Sequence, residues 1–457
     1  MQASRFLLLL LTACASSTYL RAPASYGDAA TNEDAAFYAS DPDNPGSIDD
    51  YVAVAAQNDP ALRAAHARWQ AAYSRAQASA PWPRPVVSYG VFLRPVETRV
   101  GPQRQRVGVR VPIAWGSQRR AERDAGAWVA SRAGRMFRAR LLELRANLAA
   151  LYWSLWRLDR DIEDATREEE LVRGLEDASR IRLESNQGSL SQLQQMGLRR
   201  ALAEDRKRSL EAERLRVHAR FAAQLDWSPE REIRIAAEPP SPSSLPERDE
   251  LLAHAASHPL LGAREDRARA HEARARAYGA RRLPGLSLSV DFIDVAPADN
   301  SDVAGSGNNA LSAGLAISVP VDGQVFRRRA DAERSEAAAE RADAEGLIRV
   351  QRADIDALLA TISDAARRGA LYQNALLPQA EAAFESTLAR YVSAGNLGEV
   401  FVALDTLFEV RSRVHRTLAE YALARNELER VTGVPLETGV PLETAEQESV
   451  NAERGEP

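Results

Sequence analysis

The chain has 457 residues, 27% of them charged and only 6% aromatic, with a formal net charge of -5. Acids and bases are interspersed, so there is no polyanion-binding tract and nucleic acid is not an expected partner. Ala, Arg, Glu and Leu dominate, which implies long helices. Beyond the N-terminus nothing nears the roughly 20 apolar residues of a membrane-spanning helix, so any crossing would fall to strands.

Residues 6–13 form a short apolar run behind Arg5, too short to span a bilayer and proportioned like a secretory signal; residues 1–13 are therefore expected to be a signal peptide. The run ends on Cys14, the only cysteine. Leu11-Thr12-Ala13-Cys14 resembles the bacterial lipobox, which implies lipid attachment at Cys14 and cleavage just before it. An incidental cysteine in a conventional signal is the alternative. Acylation would remove a stray thiol in an oxidising compartment. Residues 14–47, rich in Ala, Ser, Asp and Pro, read as a lipid-anchored tether.

An internal duplication follows. Asn58-Asp59-Pro60 and Ser257-His258-Pro259 each sit in an Ala-rich helical pattern, and each proline is followed 25 residues later by another, Pro85 and Pro284. Val111-Pro112-Ile113 answers to Val319-Pro320-Val321, and Gly188 to Gly395. The chain thus divides into a first repeat over 48–235, a Pro/Ser-rich linker at 236–247 and a second repeat over 248–434. Residues 435–457 read as a disordered acidic tail.

Within the first repeat, residues 48 to 79 read as helix, after which the period drops to two. Strands are expected at 86–93 and 105–113, then at 285–293 and 310–319 in the second repeat, each with one apolar and one polar face. Eight or nine residues reach about 26–30 Å, enough for an outer-membrane hydrophobic band of roughly 25 Å. A hairpin packed on helices shows the same alternation. Long helices are expected at 117–185 and 189–226, and again at 325–392 and 397–432. From Phe137 the apolar positions Leu141, Leu144, Leu148, Leu151, Leu155, Leu158 and Ile162 alternate by four and three, as do Ile348, Ile355 and Ile362 and then Leu377, Phe384 and Tyr391 by sevens. This is a coiled-coil seam. Four strands cannot close a barrel, so the apolar faces call for a symmetric oligomer.

The order of elements, the strand placement and the turn motifs resemble the outer-membrane efflux protein family, the TolC-like proteins, from about residue 48 to 435. Arg390-Tyr391 with Gly395, followed by Leu404-Asp405, is similar to the family's turn pattern; Arg182-Leu183 with Gly188 is its first-half counterpart. The resemblance implies a mainly α fold with a transmembrane β portion: a long antiparallel helical barrel and four strands per chain, closing as a twelve-stranded β-barrel in a homotrimer. It further implies passive conduction across the bacterial outer membrane, with an inner-membrane pump and a periplasmic adaptor as partners. Arg182, Gly188, Ser189, Leu190, Arg390, Tyr391, Gly395 and Leu397 are the expected adaptor-contacting turn residues, or else turn and cap residues only. Glu399 and Asp405 are candidates for an acidic pore gate, or else a solvated helix face.

The solute, drug or metal ion, stays open. His254 and His258, four apart, have no third ligand near in sequence and read as surface residues, and methionine occurs only at 1, 136 and 196; neither a metal site nor a cofactor is expected. Enzyme chemistry is not expected either, since phosphate-cradling and nucleophile-elbow motifs are missing. The rival reading is a periplasmic coiled-coil adaptor or structural lipoprotein without a pore.

Overall fold

The computed structural model describes residues 46–236, 238–240, 245–299, 304–394, 397–434 and 436. Cys14, the signal, Gly395 and nearly all of the tether and tail lie outside the described residues. The elements run α1 (Ile48–Asn58), α2 (Pro60–Gln77), β1 (Val86–Val96), β2 (Gln103–Ile113), α3 (Gly116–Glu184) and α4 (Leu190–Leu225). Then come α5 (Arg248–Ala256), α6 (Pro259–Ala280), β3 (Gly285–Val295), β4 (Ala310–Ser318), α7 (Gly323–Leu371), α8 (Leu377–Ala394) and α9 (Leu397–Thr432).

Two expected helices are interrupted, each beside a proline. The stretch 48–79 breaks at Asp59, whose side chain accepts the Leu62 N–H at 2.5 Å and so caps α2, while Pro60 takes the first helical position, where no N–H is needed. The stretch 325–392 breaks into α7, a π turn at Tyr372–Leu376, and α8. Pro378 has no N–H to continue the i to i-4 ladder; just ahead of it the Leu377 N–H reaches back five residues to the Tyr372 carbonyl. β1, β2 and β3 run two or three residues beyond the expected bounds at the loop ends, while β4 stops one residue short at Ser318; β1 includes Pro95, tolerated because β1 is an edge strand.

The chain forms two compact units. One draws on residues 67–134 and 262–345 and contains the sheet. Its strands lie in the order β1-β2-β3-β4, all neighbours antiparallel. Its helical core is made of alanine, with Ala72, Ala76 and Ala130 clustered, and a Cβ on Gly126 would stand 3.1 Å from the Ala76 Cα. Small side chains let helix backbones approach closely, which is how a chain so poor in aromatics can pack. Polar pairs add direction: Glu340, 5% exposed, receives both Arg264 and Arg267 at 3.0 Å.

The other unit draws on residues 46–66, 135–261 and 346–436 among those described. Here the seam is buried: Phe137, Leu141, Leu144, Leu148, Leu155, Leu158, Ile355 and Ile362 all belong to the core. Tyr51, 1% exposed, accepts the Arg234 N–H at 2.9 Å and donates to the Arg234 carbonyl at 2.8 Å; burial pushes its phenol up to about 12. His258, expected at the surface, is instead 3% exposed. Its Nδ1 accepts the Leu260 N–H at 3.2 Å, and Nε2 meets the Arg430 carbonyl at 3.1 Å, so the neutral ring with the proton on Nε2 satisfies both. His254 is half-buried, near Glu250 at 3.9 Å.

Candidate functional site

Two features of the fold stand out: the apolar face of the sheet, and the ends of the long helices. On the sheet, the register aligns apolar positions into continuous rows. Val87, Val109, Val290 and Ala313 stand in one row, and Tyr89, Val107, Phe292 and Leu311 in the next. Val111, Leu288 and Leu315, then Ile113, Leu286 and Ile317, extend the same face. Most of these side chains are exposed, Val87 at 70%, Leu311 at 75% and Leu315 at 61%. So large a contiguous apolar surface marks contact with lipid or another chain.

The opposite face is mostly small or polar, with Val86 and Ile293 as its larger apolar members. Ser88, Gly108, Asp291 and Ser312 form one of its rows, with Gly314 and Ser289 paired in the next. Arg106 reaches diagonally to Asp291 at 3.0 Å, and a Cβ on Gly108 would stand 2.1 Å from the Asp291 Oδ1, so a larger residue here would have to push that carboxylate aside. β1 and β4 each leave one edge unpaired within the chain.

At the helix ends, α3 closes in a Schellman turn. Asn186 adopts the left-handed conformation (φ 61), its N–H donating to the Leu183 carbonyl at 3.1 Å and the Gln187 N–H to the Arg182 carbonyl at 2.8 Å. The left-handed residue is thus Asn186 and not Gly188. Space is tight at Gly188, where a Cβ would meet the Leu183 nitrogen at 3.1 Å. Ser189 caps α4 through a capping box with Gln192. Ser189 and Leu190 are exposed, Leu190 at 59%, while Arg182 is half-buried.

The second turn packs against the first. Tyr391 and Leu397, expected on a contacting surface, are 5% and 3% exposed and belong to a cluster with Val172, Met196, Phe384 and Phe401. The Arg182 guanidinium lies 4.7 Å over the Tyr391 ring, and the Tyr391 hydroxyl is 3.3 Å from Ser179 Oγ. They cannot offer these buried atoms to a partner; they fix the turns to each other. Arg390 is exposed and pairs with Glu399 at 3.3 Å. Asp405 accepts a bidentate pair of bonds from Arg199 at 2.5 and 2.7 Å, which holds that guanidinium above its ordinary value. Both candidate gate acids therefore face a cation of their own chain. The Asp405 pairing was not foreseeable from sequence, because Arg199 lies 206 residues away. Nearby, burial raises the Glu168 carboxyl above its usual range, partly opposed by Arg206 at 3.4 Å. Among the described residues no group of three or more His, Asp or Glu could hold a metal ion, and no helix is long and apolar enough to cross a membrane.

No protein-family model and no curated protein matches this sequence. Solved structures do match in three dimensions. The outer membrane protein VceC of Vibrio cholerae superposes with a TM-score of 0.68 at 17% identity, over 85% of this chain and 96% of that one. The outer-membrane channel OprN gives 0.70 at 17%, over 92% and 93%. The outer membrane channel CmeC of Campylobacter jejuni gives 0.70 at 12%, over 88% of each. At such identities the likeness establishes the fold, and the fold is TolC-like: mainly helical, with four antiparallel strands in one sheet.

Proposed function

We propose that this chain is an outer-membrane channel of a tripartite efflux system. Three copies would each contribute four strands to a twelve-stranded barrel, and solutes handed over by an inner-membrane pump and a periplasmic adaptor would pass through it passively. The observation that carries this reading is the open sheet whose exposed apolar face is continuous across all four strands while its other face is mostly small or polar. Lipid outside and water inside satisfy both faces at once, and copies of the chain satisfy the two free edges. The likeness to outer-membrane channels over most of their length supports it. Cys14 would carry a lipid anchor beside the barrel. The exposed Ser189, Leu190 and Arg390 and the half-buried Arg182, held in place by Tyr391 and Leu397, would meet the adaptor along with Gly188 and Gly395. Glu399 and Asp405 would act at the constriction of the tunnel, where separating α4 from α9 would free Asp405 from Arg199.

The test is conductance of the purified full chain across a planar bilayer, paired with membrane fractionation of Cys14→Ala behind a cleavable signal. Discrete trimer-dependent conductance and an embedded variant are expected. Release of the variant into the soluble periplasm, with no conductance from the parent, would overturn the channel and favour a structural lipoprotein.

A further inference from the structure

The helix-side end of the sheet carries a concentration of arginine for which conduction gives no role. Every strand is flanked there by an exposed arginine that has no acidic partner among the described residues: Arg84 ahead of β1, Arg120 and Arg123 after β2, Arg282 ahead of β3, Arg327 and Arg328 after β4. None lies more than about three helical turns from the sheet. The acids nearby do not neutralise them, since Glu122 is taken by Arg281 at 2.9 Å and Asp124 by Arg276 at 3.4 Å, leaving Asp322. At the loop end of the same sheet the signs balance, with Arg94, Arg99 and Arg104 set against Glu97, Asp294 and Asp299. The charge asymmetry therefore runs along the strand axis, the direction in which a bilayer would be crossed.

Two indoles mark the same level. Trp82 is 66% exposed, with the Arg119 guanidinium 3.7 Å over its ring, and the exposed hydrogen bond of Trp115 runs from Nε1 to the Pro284 carbonyl at 2.7 Å. Rings with an apolar body and a polar edge settle where hydrocarbon meets headgroup. Immediately beyond them lies the apolar strand face.

We propose that this belt binds the phosphate groups of anionic phospholipids in the leaflet nearest the helices. The inference rests on the membrane-spanning reading of the sheet. A guanidinium offers two parallel N–H donors to a phosphodiester and stays charged at every physiological pH, and the strands alongside supply a surface for the acyl chains. One such contact is worth about fivefold in binding at an anionic surface, equivalent to about 1 kcal/mol.

The test reconstitutes the full chain in nanodiscs of phosphatidylcholine alone and of phosphatidylcholine mixed with phosphatidylglycerol, and reads the retained lipid by native mass spectrometry. The parent is expected to retain phosphatidylglycerol preferentially. The triple variant Arg120→Gln, Arg282→Gln, Arg327→Gln should lose that preference by about fivefold per arginine, the corresponding lysine variant should keep most of it, and Arg99→Gln at the loop end should leave it unchanged. Insertion into both discs without a preference, or a preference that survives in the glutamine variant, overturns the belt and leaves the channel standing. Displacement of the lipid by millimolar inorganic phosphate would overturn the lipid assignment in favour of a free-anion site. Failure to enter either bilayer would overturn the channel reading itself.

Discussion

Acidification should loosen the junction of α6 with the end of α9, and His258 should be the residue responsible. The imidazole is buried, with Nδ1 accepting from the Leu260 N–H and Nε2 donating to the Arg430 carbonyl, so a second proton would have to sit on Nδ1 against another N–H. Burial, with the neighbouring Arg430 charge adding to it, lowers the ring from 6.5 to about 4. Between those two values the opened junction binds a proton that the native one does not. Stability from this group is therefore whole above pH 6.5 and falls as the pH drops toward 4. At about 1.4 kcal/mol per pH unit the loss is about 3 kcal/mol. Amide hydrogen exchange at the first turn of α6 and the last turn of α9, corrected for intrinsic rates, reports the local opening without requiring two-state unfolding of a whole assembly. Parent protection should decline across this window, while His258→Gln, which keeps an N–H for Arg430 but cannot titrate there, should stay nearly flat. Equal decline in both would show that the proton goes elsewhere, and loss confined above pH 6.5 would reverse the sign of the reasoning.

Val109→Arg places a charge in the middle of the apolar face and should cost about 2–4 kcal/mol of insertion if that face meets lipid, read as loss of carbonate-resistant membrane association; full retention would show that the face is covered by protein. Leu190→Glu, at an exposed helix end, should leave assembly intact while reducing adaptor capture and solute export in cells, and undiminished export would remove Leu190 from the contact. Tyr391→Ala should empty a buried site and destabilise the paired turns by about 3–5 kcal/mol, whereas Tyr391→Phe forfeits only the hydroxyl contact with Ser179, about 1 kcal/mol. Similar melting shifts for the two variants would contradict the packing seen around that ring.

Much of the fold was legible in one dimension because its signals are local. The 4,3 alternation from Phe137 to Ile162 reports a helix with one buried seam, and the alternation from Val107 to Ile113 reports a strand with two unlike faces, whatever lies across from them. The interrupted helices were legible too in principle, since Pro60 and Pro378 each deprive a turn of its N–H. What periodicity could not supply was the identity of neighbours. A helix pattern marks Tyr391 as apolar and Asp405 as polar but does not say that the first closes on Arg182 or that the second is bound by Arg199.

Composition and period alone determined that this chain is built of long helices and four two-faced strands, because those patterns follow from backbone geometry within a few residues. Tertiary structure decided the rest: that β2 lies beside β3 and so fuses four strands into one apolar surface, that Asn186 rather than Gly188 turns the chain, and that Tyr391, Leu397 and His258 are interior. Each of those outcomes depends on atoms brought from distant positions in the sequence, and burial, pairing and charge compensation are properties of the pair.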